Sequence, residues 1–325
     1  MQLSKGMRRA LVWSVVLALA LYAAAFVAGD LEQVKTAAGR LSLGGWLVVL
    51  ALSLLNYGLR FLRWHGYLGL LGERVPAGRH LLYYVAGFAF TTTPGKAGEV
   101  IRSLYLRGHG VSYPHSLAAL FAERVLDVAA VTLLALGVAA AFAQFRWPVA
   151  AMGLAVLLVL PLIHSDWLSG RLRRFGHGRG RLATLAGHLG ELLRASARLL
   201  GWRPLYAGLA LGVIAWGAEG LAFYLILDQL GAPVSPWVAA GVYGAGILAG
   251  AVSFIPGGLG STEGAMILLL GLLGVDTPSA VAATLICRVT TLWFAVALGL
   301  LALAVAPVAA RTGPLRAEDV GPDRS

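Results

Sequence analysis

The 325-residue chain is 58% hydrophobic and only 13% charged, with a mean hydropathy of +0.78. Soluble domains carry about 25% charged residues, so the composition excludes an ordinary soluble protein and indicates a membrane protein. The apolar runs are long and unbroken, which favours helices over the short alternating strands of a β-barrel. The net charge of +11 comes from basic residues beside apolar spans, so we expect anionic lipids and no nucleic acid as partners.

Six apolar segments are predicted to be full membrane spans. They are Ala10–Ala28, Leu43–Leu62, Ser116–Ala143, Pro148–Ile163, Pro204–Leu227 and Pro278–Val305. The first apolar run is longer than a usual signal-peptide core, so we interpret it as a retained helix rather than a cleaved signal. Arg60 and Arg63, at the end of the second span, are expected to snorkel to the cytoplasmic interface with Trp64.

Two further pairs of shorter segments are each interrupted at a Pro-Gly sequence. The pairs are His80–Thr93 with Ala97–Arg107, and Pro236–Ile255 with Thr262–Leu273. The loop Ser165–Arg203 has a net charge of +6, and the positive-inside bias puts it in the cytoplasm if each pair is a re-entrant hairpin. We therefore predict an all-α polytopic protein with six full spans and two hairpins of opposed direction, where plain hydropathy gives seven or eight spans.

These predictions define a single transmembrane domain over residues 1–310, followed by a tail, 311–325, that is expected to be disordered. Two halves, about 43–143 and 204–307, flank the basic loop 165–203. Both termini are predicted to lie on the cytoplasmic side of the cytoplasmic membrane. Within the loop, Arg181–Leu200 has leucines on one face, which fits either a helix on the membrane surface or a solvated linker helix. These leucines are Leu182, Leu185, Leu189, Leu192 and Leu193.

The two halves contain an internal repeat. Gly110–Val125 aligns with Gly274–Val289 at an offset of 164, with seven of sixteen positions identical, and the same offset places Glu99 on Glu263. In both halves the glutamate lies 25 residues before an arginine, Arg124 or Arg288. Because the predicted topology makes the halves antiparallel, the pattern is typical of secondary transporters, which place their site at the repeat interface.

Charged residues at membrane depth are the candidate site, because burying them is costly unless they are paired or functional. We expect two Glu/Arg pairs, in which Glu99 joins Arg124 or Arg288 and Glu263 joins the other arginine. Arginine holds a carboxylate or a phosphate with its planar fork. The pairs fit a substrate-binding site, and they equally fit structural ion pairs that hold hairpins to spans. The predicted substrate-binding residues are Glu99, Arg102, Arg124, Glu263 and Arg288.

Other residues are predicted to support this site. Glu123 and Asp127 flank Arg124, Lys96 and Arg102 are candidates for guiding an anionic head group or for snorkelling, and Glu219 is a candidate for proton coupling or for a helix contact. Seven residues are predicted to break the hairpins, since glycine permits unusual backbone angles and close helix contact. These are Pro94, Gly95, Gly98, Pro256, Gly257, Gly258 and Gly260. We predict no catalytic residue, metal ligand or cofactor, and the single cysteine excludes an intrachain disulfide.

Four charged motifs together resemble the flippase-like transmembrane region of lysylphosphatidylglycerol synthases, which forms the membrane part of the multiple peptide resistance factor. They are Pro94–Arg102, Ala122–Asp127, Ile255–Glu263 and Arg288. The resemblance extends from about Leu43 to Pro307 and implies a protein that translocates lipids. It implies roles for Glu99, Arg102, Glu123, Arg124, Asp127, Glu263 and Arg288, which match the charged motif positions of the family.

The resemblance leaves the substrate open. The family's aminoacyl-transferase domain is absent from this sequence, so we expect a non-enzymatic translocator of an anionic, aminoacylated or polyprenyl-phosphate-linked lipid. One alternative is a membrane-embedded enzyme similar to polyprenyl-pyrophosphate phosphatases, although their clustered glutamates are missing. Another is an accessory subunit that presents the basic loop to a cytoplasmic synthase or glycosyltransferase. The sequence does not predict the oligomeric state.

Overall fold

The computed structural model describes residues 39–92, 97–163 and 181–306, together with a few isolated positions at 32, 35–36, 167, 170–172 and 174. Within these ranges the regular structure is entirely helical. The longer helices are α1 Leu43–Leu70, α2 Ala77–Ala86, α3 Ala97–Arg107, α4 Tyr113–Ala141, α5 Arg146–Ile163, α6 Arg181–Leu199, α7 Trp202–Gln229, α8 Pro236–Val252, α9 Ser261–Leu272 and α10 Thr277–Val305.

Short turns with a tighter or wider backbone than an α-helix occur at several places along these helices. A 3₁₀ turn, Gly87–Phe90, continues α2, and a second, Pro256–Gly258, lies between α8 and α9. A π-helical turn, Val289–Trp293, interrupts α10. The Tyr57 hydroxyl donates to the Thr291 carbonyl within this turn, so α1 is tied to α10 where the helix is widest.

Helix starts follow local sequence signals. Ser112 precedes α4 and Asp276 precedes α10, and each side chain accepts a hydrogen bond from the backbone N–H three residues later, at 3.3 and 3.0 Å. A proline lies in the first turn of both helices, where its missing N–H is not needed. The bounds of α4 and α10 differ by the same 164 residues that separate the aligned sequence segments.

Four helices within the described residues are long and apolar enough to cross a membrane: α1, α4, α7 and α10. They correspond to four of the six predicted spans. The predicted first span, Ala10–Ala28, lies outside the described residues, and Pro148–Ile163 forms most of α5. The shorter apolar helix α8 precedes the Pro256–Gly258 break, and α2 with its 3₁₀ turn takes the place of His80–Thr93. The protein is therefore an all-helical membrane protein, and the number of full spans stays a prediction.

Glycines bring α4 and α8 into close contact. A Cβ at Gly241 would lie 2.5 Å from the backbone nitrogen of Val138, and one at Gly137 would lie 2.3 Å from the Trp237 carbonyl oxygen. A Cβ at Gly244 would lie 2.8 Å from the Val131 carbonyl oxygen. Small residues of this kind let helix backbones approach closely in membranes. The close crossing fixes where α4, which carries Glu123, Arg124 and Asp127, lies in the bundle.

The basic helix α6 matches neither prediction completely, that of a helix on the membrane surface or that of a solvated linker helix, because one end is buried in the bundle. At its C-terminal end Ala195, Leu199 and the following Leu200 are buried in one core with Tyr67 and Leu68. Arg198 donates to the Leu70 carbonyl at 3.2 Å, while Leu189 is exposed. The side chains of Leu182 and Leu185 lie outside the described part. The last turn of α6 therefore belongs to the bundle core, which the leucine pattern alone did not indicate.

Candidate functional site

Glu123 and Asp127 lie one turn apart on α4 and form the centre of a buried charged cluster. Both residues are almost completely inaccessible to solvent. Tyr84 of α2 donates its hydroxyl proton to Glu123 Oε1 at 3.1 Å, and Trp216 of α7 donates its indole N–H to Asp127 Oδ1, also at 3.1 Å. Three other helices therefore converge on one turn of α4 when the arginines of α1 are included.

Arg60 and Arg63 of α1 contact these carboxylates. Arg60 Nη2 lies 3.2 Å from Glu123 Oε1 and 3.1 Å from Asp127 Oδ2, and Arg63 Nη2 donates to Asp127 Oδ1. The prediction that both arginines snorkel to the interface is wrong, because α1 continues to Leu70 and so carries them inside the helix rather than at its end. Only 1% of the Arg63 side chain is exposed.

Glycines on α7 make room for the α1 side chains. A Cβ at Gly208 would lie 2.1 Å from the Tyr67 hydroxyl oxygen, and one at Gly212 would lie 2.8 Å from Arg63 Nη1. Arg63 Nη1 also donates to the Gly208 carbonyl at 3.3 Å. Close helix contact therefore holds Arg63 in place from two sides, by a carboxylate of α4 and by a backbone carbonyl of α7.

Arg102 approaches the cluster from α3 and is surrounded by aromatic rings. Its guanidinium carbon lies 4.0 Å from the ring centre of Tyr84, with the rings of Trp64 and Phe88 at 5.6 and 5.5 Å. Its Nη1 is 3.6 Å from Glu123 Oε2, within ion-pair range but beyond a hydrogen bond. Of the two roles considered for Arg102, the buried position fits the site and not interfacial snorkelling.

Arg124 is the most exposed member of the cluster. Its Nη2 lies 3.1 Å from Glu123 Oε1 and 3.2 Å from Asp127 Oδ2, and 30% of its side chain is accessible. By contrast, the other three arginine side chains are between 1 and 11% exposed. The cluster therefore opens to its surroundings at Arg124.

A second, separate ion pair joins Glu263 of α9 to Arg288 of α10. Arg288 Nε donates to Glu263 Oε1 at 2.7 Å, and Arg288 Nη2 donates to the Gly257 carbonyl at 2.6 Å. Glu263 Oε2 accepts from the Gly260 backbone N–H at 2.7 Å. Gly257 and Gly260 have φ angles of 65° and 82°, a backbone conformation that residues other than glycine rarely adopt. The pair thus fastens the break before α9 to the last span.

The structure brings some predicted site residues together and separates others. Glu263 pairs with Arg288, and Arg102 and Arg124 join Glu123 and Asp127. Pro94, Gly95 and Lys96 lie outside the described residues, as does the side chain of Glu99. Gly98 lies in α3, whereas Pro256, Gly257, Gly258 and Gly260 form the break between α8 and α9.

Glu219 is buried on α7. Ser53 of α1 donates its hydroxyl proton to Glu219 Oε2 at 3.2 Å. On the same helix, Trp216 and Phe223 flank it in sequence and both pack against Tyr243 of α8, with ring centres 6.3 and 6.4 Å away. Glu219 therefore makes a helix-to-helix contact, one of the two roles considered from sequence, and its role in proton coupling stays a prediction.

Sequence reasoning did not include Arg60, Arg63, Tyr84 or Trp216 in the site. The two arginines and Tyr67 are spaced by three and four residues, which puts them on one helical face. This spacing would have predicted that the three side chains face the bundle together, had the helix been predicted to continue to Leu70. Nothing in one sequence distinguishes Tyr84 and Trp216 from ordinary aromatics of a membrane protein.

Comparison of the sequence with known proteins identifies a family. The family model for the lysylphosphatidylglycerol synthase TM region matches residues 11–299. The chain is similar to a UPF0104 membrane protein of Methanothermobacter thermautotrophicus, with 26% identity over 231 residues that cover 63% of this chain and 68% of the relative. It is also similar to a UPF0104 membrane protein of Pyrococcus horikoshii, with 25% identity over 244 residues that cover 66% and 73%. The match spans most of the chain, so the protein belongs to the lysylphosphatidylglycerol synthase TM region family.

Proposed function

We propose that the protein translocates a lipid across the cytoplasmic membrane, with the head group passing through the polar interior of the bundle and the acyl chains staying in the bilayer. The observation that carries the proposal is the buried cluster of Arg60, Arg63, Arg102, Glu123, Arg124 and Asp127, which lies among apolar helices. Charge at membrane depth marks substrate and ion pathways, because it is too costly to keep without use or full pairing.

The candidate substrates are an anionic, an aminoacylated or a polyprenyl-phosphate-linked lipid. Each has an apolar tail and a head group that cannot cross hydrocarbon unaided. On α1 and α4 the side chains of Arg60, Arg63, Glu123 and Asp127 are at most 11% exposed, whereas Leu54, Leu62, Leu133 and Leu136 are exposed. The same helices thus offer charge to a head group and an apolar exterior to the acyl chains.

Repeated helix positions support the proposed translocator function, for which we propose that the two halves form an inverted repeat. Helices α3 and α9 begin 164 residues apart, as do α4 and α10, and Ser112 and Asp276 cap the latter two in the same way. Paired broken segments are the usual architecture of secondary transporters. We further propose that the interruption predicted at Pro94-Gly95 and the turn at Pro256–Gly258 are tips of re-entrant hairpins that enter from opposite sides, with both termini in the cytoplasm.

The test is lipid translocation by the purified full chain in vesicles. Fluorescently labelled phosphatidylglycerol, lysyl-phosphatidylglycerol and polyprenyl phosphate are incorporated in separate preparations, and dithionite quenches the label in the outer leaflet. We expect the protein to make the inner-leaflet fraction of at least one lipid accessible, and Arg124→Met to slow this. Gly217→Ala is the matched control, because a Cβ at Gly217 meets open space. Protein-free rates for all three lipids would refute the proposal.

A further inference from the structure

Within the described residues, the cluster on α4 contains more positive than negative charge. Four arginines, Arg60, Arg63, Arg102 and Arg124, face two carboxylates, Glu123 and Asp127. The carboxylates are already shared, since Glu123 has three arginine neighbours and Asp127 also has three. One more carboxylate, such as Glu99, would not neutralise the excess of two positive charges.

Several buried donors in the cluster have no hydrogen-bond partner in the described part of the chain. They are Arg63 Nε, Arg102 Nε and the Tyr67 hydroxyl, whereas Arg102 Nη1 faces Glu123 Oε2, which also has no hydrogen-bond partner, at 3.6 Å. Arg63, Arg102 and Tyr67 are each at least 96% buried. Buried polar groups normally find partners, because an unmet N–H loses its bonds to water without compensation. The excess of charge and the unmet donors both call for an additional acceptor that carries negative charge.

We propose that the cluster binds the phosphodiester of an anionic lipid head group and rejects a head group that carries an added ammonium. This inference rests on the proposed function and narrows its substrate class. Phosphodiester oxygens are acceptors only, and they match the fork of an arginine guanidinium. A lysyl ester adds an α-amino group and an ε-ammonium group, so it brings further N–H donors and positive charge to carboxylates whose neighbours are already arginines.

Arg124 is the residue through which a head group reaches this cluster. It is the most exposed of the four arginines and contacts both carboxylates. Two aromatic rings hold guanidinium groups of the cluster by cation–π contacts, which leave the N–H groups available for hydrogen bonds. The ring of Tyr84 lies against Arg102, and the ring of Trp216 lies 5.0 Å from Arg60. The phosphate enters at Arg124 and then meets the unmet donors of Arg102 and Arg63.

Lipid binding to the delipidated full chain tests this proposal. Native mass spectrometry compares phosphatidylglycerol with lysyl-phosphatidylglycerol of identical acyl chains. Since like charges at close range are strongly disfavoured, we expect phosphatidylglycerol to bind at least ~10-fold more tightly. Arg124→Met and Arg102→Met should each weaken its binding by roughly 10-fold, the effect of losing one charge-assisted contact. The control, Arg203→Met, removes an exposed arginine far from the cluster in sequence and should leave binding unchanged.

The two arginine variants are used together, because Arg102→Met removes a buried side chain and Arg124→Met a partly exposed one. Protection of the single thiol, Cys287, reports whether each variant is folded. Equal or tighter binding of lysyl-phosphatidylglycerol would overturn the proposal, as would full binding by both variants. Inorganic phosphate that binds as tightly as phosphatidylglycerol would overturn the assignment to a lipid.

Binding and transport separate this inference from the proposed function. If lysyl-phosphatidylglycerol is translocated and phosphatidylglycerol is not, the charge selection is wrong while the translocator function stands. If phosphatidylglycerol binds through Arg102 and Arg124 but no lipid is translocated, the site stands and the translocator function is wrong.

Discussion

Arg288 and Glu263 form a 2.7 Å ion pair that also holds the backbone within and just after the Pro256–Gly258 turn, since Arg288 donates to the Gly257 carbonyl and Glu263 accepts from the Gly260 N–H. Removal of the carboxylate leaves a buried guanidinium with one partner fewer. We expect Glu263→Ala to lower the free energy of unfolding by about 3 kcal/mol, as for other broken buried pairs. Glu263→Gln keeps an acceptor oxygen and should lie between Glu263→Ala and the unaltered protein.

The thiol of Cys287 provides the measurement for this pair. It is the only cysteine and is fully buried beside Arg288. Labelling with a water-soluble maleimide during heating should begin at a lower temperature in Glu263→Ala than in the unaltered protein. Identical labelling curves would show that the pair does not stabilise the break.

Asp127 and Arg63 are expected to be strongly coupled. Asp127→Ala removes the shared acceptor of three arginines and of the Trp216 N–H, and should cost about 3–5 kcal/mol. Combining it with Arg63→Met removes one of the stranded charges, so the double variant should be more stable than the sum predicts. The coupling energy is expected to be about 1–3 kcal/mol from thermal unfolding of the four proteins. Additive effects would mean that the two side chains act independently.

Two glycine variants test the close crossing of α4 and α8. Gly241→Ala places a Cβ 2.5 Å from the Val138 backbone nitrogen, and backbone cannot rotate away as a side chain can. Overpacking of this kind costs about 1–3 kcal/mol, so its unfolding midpoint should fall. Gly217→Ala on α7 meets nothing within 4 Å and should leave the midpoint unchanged or raise it, because alanine favours helix by about 1 kcal/mol. Equal midpoints would contradict the close contact between the two helices.

The caps of α4 and α10 should differ in their response to acid. The Ser279 backbone N–H donates to Asp276, which lies before the span, and holds the pKa of this carboxyl below its usual range. The lowered pKa means that the cap stabilises the fold above the ordinary aspartate pKa of about 3.9, and that this contribution is lost as the pH falls further. Asp276→Ala should cost about 1 kcal/mol near neutral pH and less in acid.

Ser112 provides the matched control for this pH dependence. It caps α4 with a hydroxyl that does not titrate, so Ser112→Ala should cost a similar amount at every pH between about 3 and 7. Thermal unfolding of both variants across that range gives the comparison. A penalty for Asp276→Ala that does not change with pH would contradict the role of the charged carboxylate.

Helix positions were largely predictable because apolar length and capping residues are local properties. The predicted segment Ala97–Arg107 agrees with α3, and the predicted span from Pro278 begins one residue inside α10. The repeated spacing of glutamate and arginine also predicted that Glu263 and Arg288 each form an ion pair, but it left open which arginine each glutamate contacts; the structure pairs these two residues with each other. The partners of Glu123 and Asp127 were not predictable, because the sequence does not reveal that α1 packs against α4 and α7 at Arg60 and Arg63. That information resides in tertiary contacts of residues far apart in the chain.

The π-helical turn of α10 divides a helix that contacts two short turns of the chain, Pro256–Gly258 and Gly87–Phe90. Before the π-helical turn, Arg288 donates to the Gly257 carbonyl in the Pro256–Gly258 turn. After the π-helical turn, Gly299 packs closely on the Gly87–Phe90 turn, and a Cβ at Gly299 would lie 2.2 Å from the Ala89 backbone nitrogen. Each residue added to or removed from a helix rotates its later turns by about 100° relative to its earlier turns. The π-helical turn therefore sets the rotation of the second part of α10 relative to the first, and so couples these two contacts. If the turn changed to an ordinary α-helix, one contact would rotate away while the other remained.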